Sequence, residues 1–336
     1  MKSFIQQIFN IKNIDNDKVL VLFGKHFSIS GKLLKRLRIH NYYLEKLLLQ
    51  CGDITKCKVV DQNIELLQTI RYKAFKISAK LFEKNGITYW LDGGTCLGAF
   101  RHNGFIPWDD DIDIVIPRSD CQRGIELLND FFKPHGLAIR IGNPKPNGKK
   151  NSLVPRLIDL ETNFSFMDIF PYDFSNNNTL DKGSLLEKLH EIREKFITDS
   201  LKNSVYKNKK QLADYYSELQ DFYKKYEICI PDGENSYMFR AIDSMSNCLQ
   251  QTIHRTDEVF PLQKVRFEDD YFYAPANMQS FLQNINEGRY GDIMAFPPLN
   301  ILIPHCDKEF NSHQHFIKTT SVAKKKIDAI YEEFFS

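Results

Sequence analysis

Between Asp61 and Asn85 the apolar residues recur at three- and four-residue steps (Ile64, Leu67, Ile70, Ala74, Ile77, Leu81), the spacing of one helix face. Asp61 predicts the N-cap of that helix and Asn85-Gly86 its stop. Ile87-Thr-Tyr-Trp-Leu91 then reads as a strand, broken at Gly93-Gly94, with a short helix from Thr95 to His102. In Asp111-Ile-Asp-Ile-Val-Ile116 the period changes to two, acid alternating with aliphatic, as in a strand with one wet face. Residues 119–133 return to helix before Pro134 and Gly136. Residues 137–141, 153–160 and 164–170 complete the pattern as strands, the last ended by Pro171. Helices interleaved with strands in this order predict a mixed α/β domain.

The flanks follow other patterns. Lys18-Val-Leu-Val-Leu-Phe23 predicts a short strand ending at Gly24, then a turn at Ser30-Gly31. The pattern over residues 32–50 predicts a basic amphipathic helix. Its favoured reading packs the apolar stripe on the domain; the second lays the helix on an anionic membrane surface as a peripheral contact. After Asn176-Asn-Asn178 the spacing predicts a charged helix over 185–226 and another over 236–252. A Pro-rich segment follows from Phe260 to His305, then a helix over 313–335. The expected organisation is an N-terminal extension over 1–60, a catalytic core over 61–176, and a mostly helical C-terminal region over 177–336 that completes the site.

Composition adds limits rather than an identity. With 336 residues, 42% of them hydrophobic, the chain has material for roughly two domains. A net charge of +2 does not suit a general polyanion binder. No basic stripe interleaves with aromatics, so a nucleic-acid partner is not expected. No run nears the roughly 18 apolar residues of a spanning helix, and Met-Lys-Ser-Phe-Ile-Gln-Gln is a poor signal peptide. The expected location is cytoplasmic, peripheral on the inner membrane face if residues 32–50 bind lipid. Seven cysteines without a Cys-x-x-Cys pair predict reduced thiols, with Cys96 as a packing residue.

The chemistry gathers in Phe105-Ile-Pro-Trp-Asp-Asp-Asp-Ile-Asp-Ile114, four acids in five positions. In a strand Asp109, Asp111 and Asp113 share one face, with Asp110 and Ile112 on the other. Carboxylates so crowded among apolar residues need a counter-charge, and Mg²⁺ (or Mn²⁺) accepts such oxygen ligands together with substrate phosphates. An EF-hand is excluded, because Ile114 stands where that loop needs glycine. Leu91-Asp-Gly-Gly-Thr95 lets a ligand approach the backbone at a helix N-terminus, making Gly93, Gly94 and Thr95 a candidate phosphate cradle. Arg101 and His102 are candidate phosphate contacts, as are Lys149, Lys150 and Arg156, of which Arg156 is favoured. In Phe166-Met-Asp-Ile-Phe-Pro-Tyr-Asp173, Asp168 lies among apolar residues and needs a partner, for which a shared metal would serve. Asp173 is expected to shape a turn.

Leu91 to His102, Gly104 to Asp113 and Met167-Asp-Ile-Phe-Pro171 closely resemble the motifs of the LicD family of phosphotransferases, which includes bacterial phosphocholine transferases and the fukutin-related proteins. The resemblance continues through Phe260-Pro-Leu, Phe267-Glu268, Ala274-Pro-Ala-Asn277 and Tyr290 to Pro298, and so spans about residues 61–305. It implies an α/β (α+β) nucleotidyltransferase-like mixed sheet flanked by helices. It also implies a CDP-activated donor and transfer of an alcohol phosphate (phosphocholine or a polyol phosphate) to a hydroxyl of a cell-surface glycan or glycolipid. By the same resemblance Asp111 and Asp113 hold the metal and Asp168 is the third carboxylate. The cysteine-rich zinc element of the fukutin-related branch has no match, so zinc is not expected. Two alternatives remain at this level: transfer of a nucleoside monophosphate to a small acceptor, and a non-catalytic scaffold in glycan assembly.

Overall fold

The computed structural model describes residues 10–14, 17–22, 25–28, 53–59, 61–141, 154–175, 183–185, 187, 189, 191, 237–241, 253–284, 293, 294 and 313–336. The chain divides into two compact units, one of residues 1–58 with 297–303, the other of 59–296 with 304–336. In the first, β1 (Asn10–Ile14), β2 (Asp17–Leu22) and β3 (Lys25–Ser28) form an antiparallel sheet in chain order. The strand expected at Lys18–Phe23 is thus the middle of three. The turn at Ser30-Gly31 and the basic helix over 32–50 lie outside the described residues.

The second unit begins with α1 (Gln62–Lys84), where Asp61 Oδ1 accepts from the amides of Asn63 and Ile64. Asn85 closes the helix, and Gly86 follows with a φ of 62°. Every residue of the expected apolar stripe is buried. Gln68, Arg71, Phe75 and Phe82 are buried as well, so α1 is enclosed on more than one face. Then come β4 (Trp90–Leu91), α2 (Gly93–His102), β5 (Asp113–Pro117), α3 (Arg118–Phe132), β6 (Leu137–Ile141), β7 (Pro155–Asp159) and β8 (Ser165–Ser175). β4 and β5 are shorter than the alternation suggests, because only their paired ends meet a neighbour.

Among the described residues β4 to β8, with β9 (Tyr237–Arg240) and β10 (Ile253–Arg255), form one seven-stranded mixed sheet. β5 runs parallel to β8, while β4–β5, β6–β7, β7–β8 and β8–β9 are antiparallel. Two expectations fail here. Pro171 does not end the strand; β8 runs on to Ser175. β7 pairs with β8 as far as Asp168 and β9 (Tyr237–Arg240) from Tyr172, so Pro171 falls in the gap between two partners. A missing N–H is tolerated in such a gap. Residues 237–240, expected in a helix, are strand β9, with Met238 and Phe239 buried between β8 and β10 (Ile253–Arg255).

The Pro-rich segment carries α4 (Thr256–Val259), the hairpin β11 (Gln263–Phe267) and β12 (Asp270–Ala274), and α5 (Met278–Asn284). Phe75 of α1 packs 4.5 Å from Phe272 and edge-on to Phe267. Burying one such ring contributes about 1.5–3 kcal/mol. The C-terminal helix α6 (His313–Phe335) forms where the spacing predicts one, and it lies on α1. Asp328 ties to Lys73 at 2.5 Å, and Lys326 to Asp159 of β7 at 2.6 Å. Cys57, Cys96 and Cys121 are buried and form no disulfide. No helix among the described residues is long and apolar enough to cross a membrane.

Candidate active site

The register of β5 on β8 brings two of the singled-out acids together, because Asp113 sits directly beside Asp168. The Asp168 amide donates to the Ile112 carbonyl at 2.9 Å. The glycine motif reaches the same point. Thr95 Oγ1 accepts from the Asp113 amide at 2.8 Å, and the Asp92 amide donates to the Asp113 carbonyl at 3.0 Å.

Asp109 to Ile112 precede the strand rather than belonging to it. Their alternation survives, since Asp110 and Ile112 are buried while Asp109, Asp111 and Asp113 are partly exposed. What holds it is α1 instead of a ladder. Gln68 Nε2 donates to the carbonyls of Ile106 (3.1 Å) and Asp109 (2.7 Å). One turn on, Arg71 pairs with the Asp110 carboxylate at 3.1 Å, donates to its carbonyl, and reaches the Ser165 carbonyl of β8 at 3.0 Å. Arg71 therefore neutralises one acid of the four and ties the acid loop to the strand that carries Asp168.

Burial first, then the charges of Asp111, Asp110 and Asp113, hold the Asp109 carboxyl well above its ordinary range. Burial, then Asp111, Asp168 and Asp92, do the same to Asp113, against the opposing charge of Arg240. Such mutual repulsion is what a divalent cation relieves, and the donor set is all oxygen, as Mg²⁺ prefers. No three His, Cys, Asp or Glu side chains among the described residues are arranged to hold a metal as they stand. Asp168 is engaged elsewhere: its Oδ2 accepts from Arg156 Nη2 at 2.8 Å and Nε at 3.0 Å. Asp111 and Asp113 are the pair that fits a cation completed by substrate phosphates.

α2 starts at Gly93, two residues earlier than expected. The amides of Gly93, Gly94 and Thr95 open the helix and lack intrahelical acceptors; the first internal bond runs from Cys96 N to the Asp92 carbonyl. Asp92 does not cap the helix. Its carboxylate is fully buried against Arg240 Nη2 at 2.5 Å, and the Arg240 guanidinium stacks 3.8 Å from the Phe170 ring. Arg240 is in register with Tyr172 of β8, so it shares a face with Phe170 and Asp168.

The remaining candidates from the sequence fall in different places. Arg101 and His102 close α2, about 9 Å along the helix axis from Thr95 or farther, which removes them from the phosphate cradle. Arg101 is buried, its Nε donating to the Ile293 carbonyl, and His102 lies edge-on to Trp108. Arg156 faces the site but is occupied by Asp168. Asp173 shapes no turn: it is buried in β8 and accepts from Arg118 Nε at 3.0 Å. Lys149 and Lys150 lie outside the described residues. Sequence reasoning missed Gln68, Arg71, Asp92 and Arg240. Tyr237-Met-Phe239 is a continuous apolar run, and no alternation in it marks the last.

Residues 86–204 match the family model described as LicD/FKTN/FKRP, nucleotidyltransferase domain. Lipopolysaccharide cholinephosphotransferase LicD of Haemophilus influenzae is 27% identical over 248 residues, 68% of this chain and 90% of that protein. An uncharacterized protein of Rickettsia typhi is 51% identical over 60 residues, 18% of this chain and 19% of its own. Ribitol 5-phosphate transferase FKRP of Homo sapiens is 50% identical over 40 residues, 12% of this chain and 8% of its own.

Proposed function

We propose, from the premise that this chain belongs to the LicD family, that it moves an alcohol phosphate from a CDP-activated donor to a hydroxyl of a cell-surface glycan or glycolipid. The observation that carries this reading is the pairing of Asp113 with Asp168 beside the Gly93-Gly94-Thr95 helix start. The named relatives, a cholinephosphotransferase and a ribitol 5-phosphate transferase, support the kind of group transferred.

Asp111 and Asp113 would hold Mg²⁺ (or Mn²⁺), which when bound supplies charge neutralisation at the diphosphate. The chain's own residues do the positioning on which phosphoryl transfer depends. Arg156 and Arg240 flank the acid pair and suit the donor's phosphate oxygens, as do the first amides of α2. The acceptor oxygen attacks the phosphorus that bears the alcohol, the bond from that phosphorus to the CMP oxygen breaks, and CMP leaves with the electron pair. The hydroxyl proton passes to a base, for which Asp168 is the candidate. The same reading places the enzyme in the cytoplasm.

A thermal-shift screen of CDP-choline, CDP-ribitol and CDP-glycerol with Mg²⁺ tests the donor class. At least one is expected to raise the melting temperature, and none doing so would set the reading aside. Mass analysis of the acceptor separates the chemistry: a gain of alcohol phosphate with free CMP supports it, and a gain of CMP indicates nucleotidyl transfer.

A further inference from the structure

The two arginines beside the acid pair are held very differently. Arg240 is fixed: Asp92, its ion-pair partner, has a fully buried side chain, and Phe170 covers its guanidinium. Arg156 stands at the rim. It lies opposite Asp168 in the β7–β8 register, and the two side chains remain 27% and 20% exposed. Both of its contacts fall on Asp168 Oδ2, while Oδ1 has Ser165 Oγ at 3.5 Å. Ion pairs this open are weak, and a guanidinium exchanges readily between a carboxylate and a phosphate because both match its fork.

We propose that Arg156 is a shared positioning residue, closed on Asp168 when no donor is bound and turned to the donor's diphosphate when one arrives. This rests on the functional reading above. The carboxylate it leaves then becomes available to the cation on Asp111 and Asp113, so donor and cation each complete the other's site. A cation offered alone meets a positive guanidinium on the third acid and binds weakly. With the diphosphate present, that positive charge has been moved onto the ligand's own anion.

The test is Mn²⁺ uptake by the full chain, measured by equilibrium dialysis with and without CDP in both compartments. Wild type is expected to bind Mn²⁺ weakly alone and about tenfold more tightly with CDP, within the usual range of coupling between sites. Arg156→Gln is expected to bind Mn²⁺ alone about fivefold more tightly than wild type, the scale of a partly exposed ion pair, and to lose most of the CDP enhancement. Adding Asp168→Asn to Arg156→Gln is expected to abolish the gain, which a general loosening of the fold would not do. A folded Arg156→Gln that binds Mn²⁺ alone no better than wild type overturns the exchange, while uptake by wild type with CDP still upholds the cation site. No Mn²⁺ uptake by wild type even with CDP overturns both. Should Arg156→Gln fail to fold, Arg156→Lys, which keeps the charge without the fork, carries the same comparison with a smaller gain.

Discussion

Two glycines open α2 for separate reasons. Gly93 has a φ of 49°, in the left-handed region that side chains disfavour. Gly94 is needed for space, since a Cβ there would overlap Asp109 Oδ2. Alanine at Gly94 suits the helix but displaces a carboxylate of the site. Gly94→Ala is therefore expected to leave the melting temperature near wild type while lowering transfer by roughly 100-fold, the scale of an ångström-sized misplacement. Equal losses of stability and activity would contradict this. Behind it, Arg240→Met strands the buried charge of Asp92 and is expected to destabilise the protein by about 3–5 kcal/mol in urea unfolding. Asp92→Asn in that background should recover most of the loss, because the orphaned charge is gone. At this scale the acids were legible, since crowded like charges among apolar residues announce a counter-charge. Their arginine partners were not: Arg71 and Arg240 come from distant segments, and spacing along a chain carries no record of which cation folds back.

Helices with a complete apolar stripe and a cap, α1 above all, could be read from end to end. Elements whose form depends on a partner could not. β9 reads as helix from the sequence because its β8 neighbour is invisible in local periodicity, and β8 continues past Pro171 only because its ladder changes partner there. α6 was legible as a helix, but its attachment was not. Lys326 reaches Asp159 of β7 at 2.6 Å, and Thr162 Oγ1 donates to the same carboxylate. Burial alone would raise the Asp159 carboxyl, yet hydrogen bonds from Lys326, Thr162 and the Glu161 amide outweigh it and hold it below its usual range. A carboxyl depressed in the fold contributes stability above its unfolded pKa of about 3.9 and loses it as pH falls through the folded value. Lys326→Met should lower stability by about 1 kcal/mol at pH 7, given the partial exposure of Lys326. The gap to wild type should narrow as unfolding is measured below about pH 4. A gap independent of pH would show that the pair is not its source.

In the second unit the site is assembled from β5, β7, β8, β9, the start of α2 and a loop clamped by α1. Motif order suggested that the glycine turn and the acids converge; the Asp113 amide joins the turn at Thr95 Oγ1, and the parallel register of β5 on β8 adds Asp168. Parallel pairing across an intervening helix and hairpin is a long-range choice that local patterns cannot specify. Because Asp111 and Asp113 are partly exposed at the head of β5, replacing either by asparagine should remove activity and leave the fold intact. The most direct test is CMP release from CDP-choline, CDP-ribitol and CDP-glycerol by wild type, by wild type in excess chelator, and by Asp113→Asn. The expected result is Mg²⁺-dependent release from at least one donor, reduced to background by the chelator and by the substitution, with the Asp113→Asn protein still folded. Release that persists undiminished in Asp113→Asn or in chelator would contradict a cation held by this acid pair as the centre of the chemistry.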